Sequence, residues 1–307
     1  MSPSALNFHQ TPVTLIHHAA QHDHHAPPGS LSALEGCLAA GAAVVEIDVI
    51  PLADGSFALL HDQDLARETN GAGKAPQMTR EGVQNLCYRL NGQVSDEKVG
   101  FLEGALDLLA AHPQTQRLQL DLKPFAPLPQ AVLGQLLDLI EPVKARIQVS
   151  SVGDWAIRAL AAAATDLALG FDPLLYLDLV EDEPRPADIP PFRVGAYGLL
   201  DDHPLSAYQW GPPGDYFAAR AAALLAQVPA GCDWFIRAEV LKMALEAGFD
   251  WIAFLHQHGS KVVGWTIDMD QPAQVDLACQ LVERGIDALT TDTPSRLAAH
   301  LAAETIV

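Results

Sequence analysis

The chain is poor in basic residues and cysteine, and it has no long apolar run. Lysine and arginine total 18 against 38 aspartate and glutamate residues, which gives a formal net charge of −20. Such a charge repels a phosphate backbone, so nucleic acid is excluded as an expected partner. No apolar run reaches the roughly 18 residues of a membrane span, and no basic segment with an apolar core opens the chain. We therefore expect no membrane span and a cytoplasmic location.

The four cysteines, at positions 37, 87, 232 and 279, show no CxxC spacing, so neither zinc nor a disulfide framework is expected. A hydrophobic content of 49% supports one large core. The acidic, proline-rich stretch 181–191 is interpreted as a surface loop, because strand-like segments continue on both sides of it. Residues 1–307 are therefore predicted to form a single domain.

Strand-like apolar runs alternate with helical patterns along most of the sequence. One helix is predicted behind Ser30, with Leu31, Leu34 and Leu38 on one face and a stop at Gly41. About eight such units predict an α/β fold, a TIM (β/α)8 barrel of parallel strands with outer helices. The active site of a barrel lies at the C-terminal ends of its strands. The predicted strands are 13–16, 43–50, 57–60, 118–122, 147–150, 167–171, 194–199, 262–267 and 288–291.

Two carboxylates lie on one face of a predicted buried strand. Glu46 and Asp48 are two residues apart within the apolar stretch 42–51, so both side chains point the same way. Buried charge requires compensation, and a hard divalent cation bound through oxygens provides it. His61 follows the next apolar run, and a histidine beside such an acid pair indicates acid–base hydrolysis.

The strand 118–122 presents a third acid and a lysine. Asp121 and Lys123 alternate onto one face, which offers a further metal carboxylate and a cation for a phosphate oxygen. An Asp-x-Lys strand end is also typical of an ordinary ion pair. The order of the segments along the chain favours the site, because all of these residues would converge at one barrel mouth.

These residues resemble the glycerophosphodiester phosphodiesterase family. The family pattern is a strand ending in His-Arg-Gly, a Pro-Glu-Asn-Thr helix start, Glu-x-Asp, a Lys-Asp-Gly hairpin, His-Asp and Thr-Asn-Gly-x-Gly. The similarity covers nearly the whole chain and is weakest between about 170 and 240. The matching segments are Glu46-Ile47-Asp48, Ala53-Asp54-Gly55, His61-Asp62, Thr69-Asn70-Gly71-Ala72-Gly73, Phe101-Leu102-Glu103, Leu120-Asp121-Leu122-Lys123, Gly264-Trp265-Thr266-Ile267-Asp268 and Gly285 to Pro294.

The resemblance implies a barrel enzyme that hydrolyses glycerophosphodiesters to glycerol 3-phosphate and an alcohol with Mg²⁺ or Ca²⁺. Its substrate would be a small phosphodiester, and a homodimer is compatible with the helical exterior of a barrel. By position, three acids would bind the metal and two histidines would act as acid and base. The implied metal ligands are Glu46, Asp48 and Asp121; the implied catalytic histidines are His61 and His18; Lys123, His17 and Trp265 would contact phosphate or substrate. For Trp265, a place in the core at the end of the barrel is the alternative.

The chain departs from the family pattern at two motifs. His-Arg-Gly is replaced by His17-His18-Ala19-Ala20, which lacks the phosphate-clamping arginine. We favour His18 as the catalytic match, and His17 stays an alternative. Pro-Glu-Asn-Thr is replaced by Pro27-Pro28-Gly29-Ser30, which removes an acid. Because the metal pair and His61 remain, we expect hydrolysis to survive, with a changed choice of substrate as one alternative, such as a lysophospholipid-type diester.

Two further function classes stay open. A barrel that has lost catalysis would bind a phosphorylated ligand or a metal. A different metal-assisted barrel reaction, such as carbon–oxygen lyase or aldolase chemistry, would use Lys123 as a Schiff base, although neighbouring acids should keep that lysine protonated. Six of the twelve histidines lie between His9 and His25. His22, His24 and His25 are interpreted as a solvated loop, with replacement of the missing arginine or a transition-metal site as the alternative.

Overall fold

The computed structural model describes residues 5–8, 11–22, 24–123, 127–177 and 212–304. Twelve strands lie within these ranges. They are β1 (Ala5–Phe8), β2 (Thr11–His17), β3 (Val44–Pro51), β4 (Phe57–Ala58), β5 (Cys87–Leu90), β6 (Gln93–Lys98), β7 (Arg117–Leu122), β8 (Ile147–Ser151), β9 (Ala168–Phe171), β10 (Asp233–Arg237), β11 (Val262–Trp265) and β12 (Ala288–Thr291).

Eight parallel strands form a closed ring in the order β2, β3, β7, β8, β9, β10, β11 and β12, and β12 pairs with β2 to close it. The predicted TIM (β/α)8 barrel is therefore confirmed. β1 pairs antiparallel with β2, β4 pairs antiparallel with β3, and β5 and β6 form a separate hairpin.

Helices surround the ring within the described residues. They are α1 (Leu31–Ala39), α2 (Leu65–Glu68), α3 (Arg80–Val83), α4 (Leu102–Ala111), α5 (Gln130–Ile140), α6 (Asp154–Ala163), α7 (Pro213–Leu225), α8 (Ala238–Glu246), α9 (Trp251–Gln257), α10 (Pro272–Glu283) and α11 (Pro294–Glu304). The predicted start of α1 is observed, because the Ser30 hydroxyl accepts the Ala33 N–H at 3.2 Å. No described helix has the length and apolar character that crossing a bilayer requires.

The alternation of side chains along each barrel strand separates two environments. On β3, Val45, Ile47 and Val49 are fully buried in the layer between strands and helices. Glu46 and Asp48 point the other way, into the barrel. A small apolar cluster that includes Ile16 and Val44 fills part of the ring, and polar side chains lie toward the C-terminal ends of the strands. This division places the charged groups at one mouth of the barrel.

Three predicted segments differ from the structure or lie outside the described residues, and one strand of the ring was not predicted. The run 57–60 is a strand only over Phe57–Ala58, and it lies beside the ring rather than in it. β10 was not predicted, because its five residues begin with aspartate and end with arginine. The strand 194–199 and the loop 181–191 lie outside the described residues.

Candidate active site

Three carboxylates converge at the C-terminal mouth of the barrel. Glu46 and Asp48 lie on β3 and Asp121 lies on β7, where Asp48 and Asp121 are direct cross-strand partners. One oxygen from each carboxylate lies within 4.8 Å of the other two. Glu46 and Asp48 are only 3% and 5% exposed, and Asp121 is half-buried. The period-two spacing read from the sequence therefore brings the three acids together.

Lys123 is the counter-charge in this cluster. Its Nζ lies 2.9 Å from Asp48 Oδ1 and 2.5 Å from Asp121 Oδ2. Burial opposes the ammonium charge, but Asp121 and Asp48 raise the pKa of Lys123 well above its ordinary value. A Schiff base requires an unprotonated amine, so this environment argues against that use of Lys123.

One ammonium group does not neutralise three carboxylates. Burial, followed by the charge of Asp48, raises the pKa of Glu46 to about 8. Burial also opposes ionisation of Asp48, but Lys123 and His61 hold its pKa below the ordinary value. An all-oxygen donor set with uncompensated negative charge fits a hard divalent cation. Within the described ranges this is the one group of three His, Cys, Asp or Glu side chains close enough to hold an ion.

Neighbouring donors fix the orientation of the acids. The Ala19 N–H donates to Glu46 Oε2 at 2.7 Å, and the Ser150 hydroxyl donates to Asp121 Oδ1 at 2.9 Å. The Gln119 side-chain amide in turn donates to Ser150 Oγ at 3.0 Å. Such supporting contacts hold metal ligands in a fixed geometry. Ser150 and Gln119 were not among the predicted site residues.

The structure separates the two candidate histidines at the end of β2. His18 lies in the turn that follows the strand and lines the cavity with Glu46 and Asp48. Its Nδ1 is 2.7 Å from Asp292 Oδ1, and although burial opposes protonation, this contact and Glu46 raise the pKa of His18 to about 9. His17 is 3% exposed and lies 3.1 Å from the Gln21 carbonyl through its own Nδ1. It does not line this cavity.

His61 is the second candidate histidine of the site. It lines the same cavity, and its Nδ1 is 3.8 Å from Asp62 Oδ1, a contact that raises the pKa of His61. Arg67 holds Asp62 with an ion pair of 2.9 Å, and the Asp62 N–H donates to Glu68 Oε1 at 2.8 Å. The His-Asp motif therefore forms a locally braced unit at the rim.

Two connected cavities of about 240 Å³ each share His18, Asp48 and His61. The first, here called the carboxylate cavity, contains the three acids and Lys123. Its far wall is largely apolar and consists of Val152, Leu174, Phe235 and Trp265. Trp265 lies in this wall, and its contact with the organic part of a substrate stays a prediction.

The second cavity, here called the Ala19 cavity, opens beside the residue that replaces the family arginine. It is lined in part by Ala19, Pro28, Leu59, Leu60 and Glu68. The small Ala19 side chain leaves this space open beside both His18 and His61.

Asp292 is a site residue that the sequence reasoning did not single out. It follows β12 and contacts His18 through the short bond described above. Its signal in the sequence was its place after the last strand, within the motif Thr290-Thr291-Asp292. His22, His24 and His25 line a different cavity of about 170 Å³ against α1, which lacks the three carboxylates.

Comparison with known proteins agrees with this geometry. Residues 17–149 match the model of the Glycerophosphoryl diester phosphodiesterase family. Glycerophosphodiester phosphodiesterase 1 of Rattus norvegicus is 31% identical over 126 residues, which are 40% of this chain and only 37% of that protein. The chain thus matches about a third of the length of this mammalian relative. A glycerophosphodiester phosphodiesterase of Caldanaerobacter subterraneus subsp. tengcongensis is 22% identical over 276 residues, or 88% of this chain and 90% of that protein.

Solved structures share the fold over nearly the full chain. An Oleispira antarctica phosphodiesterase, solved with the product sn-glycerol-3-phosphate, has a TM-score of 0.66 at 20% identity and covers 95% of this chain and 97% of its own. A glycerophosphodiester phosphodiesterase from Parabacteroides distasonis ATCC 8503 has a TM-score of 0.64 at 17% identity. The match covers 94% of this chain and 96% of that chain. Residues 17–149 are thus similar to the glycerophosphoryl diester phosphodiesterase family, and the described chain shares the barrel fold of these solved structures.

Proposed function

We propose that this protein is a divalent-metal-dependent phosphodiesterase that hydrolyses glycerophosphodiesters to glycerol 3-phosphate and an alcohol. The observation that carries the proposal is one cavity that combines three clustered carboxylates, a buried lysine and two histidines. The product bound to the Oleispira antarctica neighbour supports the same substrate class. We further propose that residues 1–307 form one domain, since the first and last strands of the ring pair with each other. A cytoplasmic location is proposed from the sequence alone.

Glu46, Asp48 and Asp121 would hold Mg²⁺ or Ca²⁺, which supplies Lewis-acid stabilisation of charge on the phosphate oxygens. Lys123 already lies against two of these acids, where its ammonium group can neutralise a nonbridging phosphate oxygen. The apolar wall that includes Trp265 would orient the organic part of the substrate and exclude water from it.

His18 and His61 would transfer the protons of the reaction. Asp292 keeps the His18 ring protonated and oriented, which suits it to donate a proton to the leaving alkoxide. His61, held by Asp62, would accept a proton from the water that attacks phosphorus while the bond to the leaving alkoxide breaks. The assignment of both histidines and of the metal ligands belongs to the proposal. His17 has no direct contact with the cavity, so a phosphate-binding role for it lacks support from the geometry.

The Ala19 cavity favours a second candidate within the same chemistry. Pro28, Leu59 and Leu60 give it apolar walls beside Ala19. A diester whose glycerol carries an acyl chain, of the lysophospholipid type, would place its apolar part in this space, which an unacylated glycerophosphodiester would leave empty. Loss of catalysis with retained binding of a phosphorylated ligand is the remaining alternative, and the intact histidine contacts argue against it.

The proposal is tested by measuring glycerol 3-phosphate release from a panel of glycerophosphodiesters with Mg²⁺, Ca²⁺ or Mn²⁺. The panel includes lysophospholipid-type diesters, for which the released alcohol is measured because their other product is an acylated glycerol 3-phosphate; EDTA is the metal control. His61→Ala should abolish release, whereas His258→Ala, at an exposed histidine on another part of the barrel, should leave it unchanged. Metal binding without turnover of any diester would contradict hydrolysis and leave the binding function.

A further inference from the structure

The turn after β2 has every one of its carbonyl groups fixed by a hydrogen bond. The His18 carbonyl accepts from the Gln21 N–H at 2.8 Å, and the Ala19 carbonyl accepts from the Gly29 N–H at 2.7 Å. The next two carbonyls accept from side chains. Cys37 donates its thiol to the Ala20 carbonyl at 2.9 Å, and His17 Nδ1 lies 3.1 Å from the Gln21 carbonyl.

The turn requires such support because its backbone is unfavourable for the residues it contains. Ala19 and Ala20 have φ values of 45° and 52°, in the left-handed region that favours glycine. Neither residue is a glycine here, so contacts from the surrounding structure must hold the conformation. Cys37 lies on α1 and also contacts His17, with 3.5 Å between Sγ and Nδ1. The two side chains thus act together on the far side of the turn from the cavity.

Two contacts of the active site depend on the conformation of this turn. It carries the His18 ring to Asp292, and it directs the Ala19 N–H to Glu46 at 2.7 Å. A rotation of the turn would move a catalytic candidate and a metal-ligand support at the same time. The backbone between residues 18 and 21 therefore connects the buried side chains of His17 and Cys37 to His18 and Glu46 in the carboxylate cavity.

We propose that His17 is a positioning residue that works with Cys37 to hold this turn, and that it takes no direct part in proton transfer. A carbonyl can only accept, so the His17 Nδ1 must carry the proton and donate it to Gln21. Burial lowers the pKa of His17 to about 4, which is consistent with a neutral ring in this role. The inference rests on the proposed hydrolysis only for its kinetic readout.

Paired variants test the proposal. His17→Asn places an amide N–H where Nδ1 was, whereas His17→Leu keeps the bulk and removes the donor. Cys37→Ser keeps a donor for Ala20, and Cys37→Ala removes it. We expect His17→Leu and Cys37→Ala to lower kcat about tenfold or more with KM within about twofold, a loss of about 1.4 kcal/mol in transition-state stabilisation. His17→Asn and Cys37→Ser should recover most of kcat.

A second readout needs no substrate. The ring N–H proton of His18 that bonds to Asp292 can be followed by NMR in the wild type and in each variant. We expect it to persist in His17→Asn and Cys37→Ser and to be lost or shifted in the variants without a donor. If the wild type hydrolyses no diester, this signal still decides whether His17 and Cys37 hold the turn.

Two results would overturn the proposal. A His17→Asn variant with an intact His18 signal but activity as low as that of His18→Ala would show that His17 itself transfers a proton. Wild-type kcat and an unchanged His18 signal in both Cys37→Ala and the His17 variants would show that the turn needs neither side chain. Because Cys37→Ala removes only one thiol, it keeps the test available if His17→Leu fails to fold.

Discussion

Replacement of Lys123 by methionine should destabilise the protein in a pH-dependent way. The change keeps the length of the side chain but removes the cation that lies 2.9 Å from Asp48 and 2.5 Å from Asp121. Loss of one partner from a buried ion pair costs about 3–5 kcal/mol. At pH 8, where the acids must ionise, we expect a loss of about 3 kcal/mol in the free energy of unfolding.

The loss should shrink as the pH falls. Lys123 is a main reason that the pKa of Asp48 is below its ordinary value, so the carboxylates in the variant take up protons more readily. Protonation removes the repulsion between them, and the penalty at pH 5.5 should be about 1 kcal/mol. Divalent cations should restore more stability to the variant than to the wild type, because they replace the lost positive charge.

Urea unfolding with EDTA at pH 5.5 and pH 8, repeated with Mg²⁺, measures these differences. Lys144→Met is the matched control, since Lys144 also bridges two acids, Glu141 at 2.9 Å and Asp166 at 3.0 Å, but on the surface. Lys144→Met should cause no measurable change in the free energy of unfolding. A Lys123→Met variant that behaves like the control, or that loses the same free energy at both pH values, would refute the electrostatic reasoning.

Three other changes have defined outcomes. Asp292→Asn removes the charge that holds the His18 proton and should lower kcat about 100-fold in steady-state assays, with little change in KM; a loss below threefold would contradict the pairing. Ser150→Ala removes the donor to Asp121 and should weaken metal binding about tenfold, as measured by calorimetry. An unchanged metal affinity would show that the Ser150 hydroxyl does not help Asp121 to bind the metal. Burial raises the pKa of Glu68 to about 7, so its effect on stability is favourable below about pH 4.5 and is lost as the pH rises through 7. Glu68→Gln keeps the acceptor for the Asp62 N–H and should therefore be more stable than the wild type by about 1–2 kcal/mol at pH 8, with little difference at pH 5, in urea unfolding; a pH-independent difference would contradict this.

The sequence was sufficient to predict which site residues on regular strands lie close together. Glu46, Asp48 and Asp121 could be grouped because successive side chains on a strand alternate between the helix-facing layer and the barrel interior. The same rule places Lys123 with them. Parallel connections then bring the ends of β3 and β7 to one mouth, so residues more than 70 positions apart could be predicted as neighbours.

The groups at turns and distant ends could not be predicted in this way. The choice between His17 and His18 depends on the left-handed backbone at Ala19 and Ala20, where strand alternation has ended. Asp292 reaches His18 only because the ring closes, and no local pattern reports such a contact. β10 escaped detection because a short strand with polar ends has too few residues to show a period.

The bond between His18 and Asp292 joins positions that are 274 residues apart. His18 follows the first strand of the ring, Asp292 follows the last, and the two meet only where β12 pairs with β2. A chain whose last strand has not docked thus lacks this pair, however well its earlier strands are formed. On the proposed function, partly folded molecules would be inert toward diesters, and the onset of turnover during refolding would time the closure of the barrel.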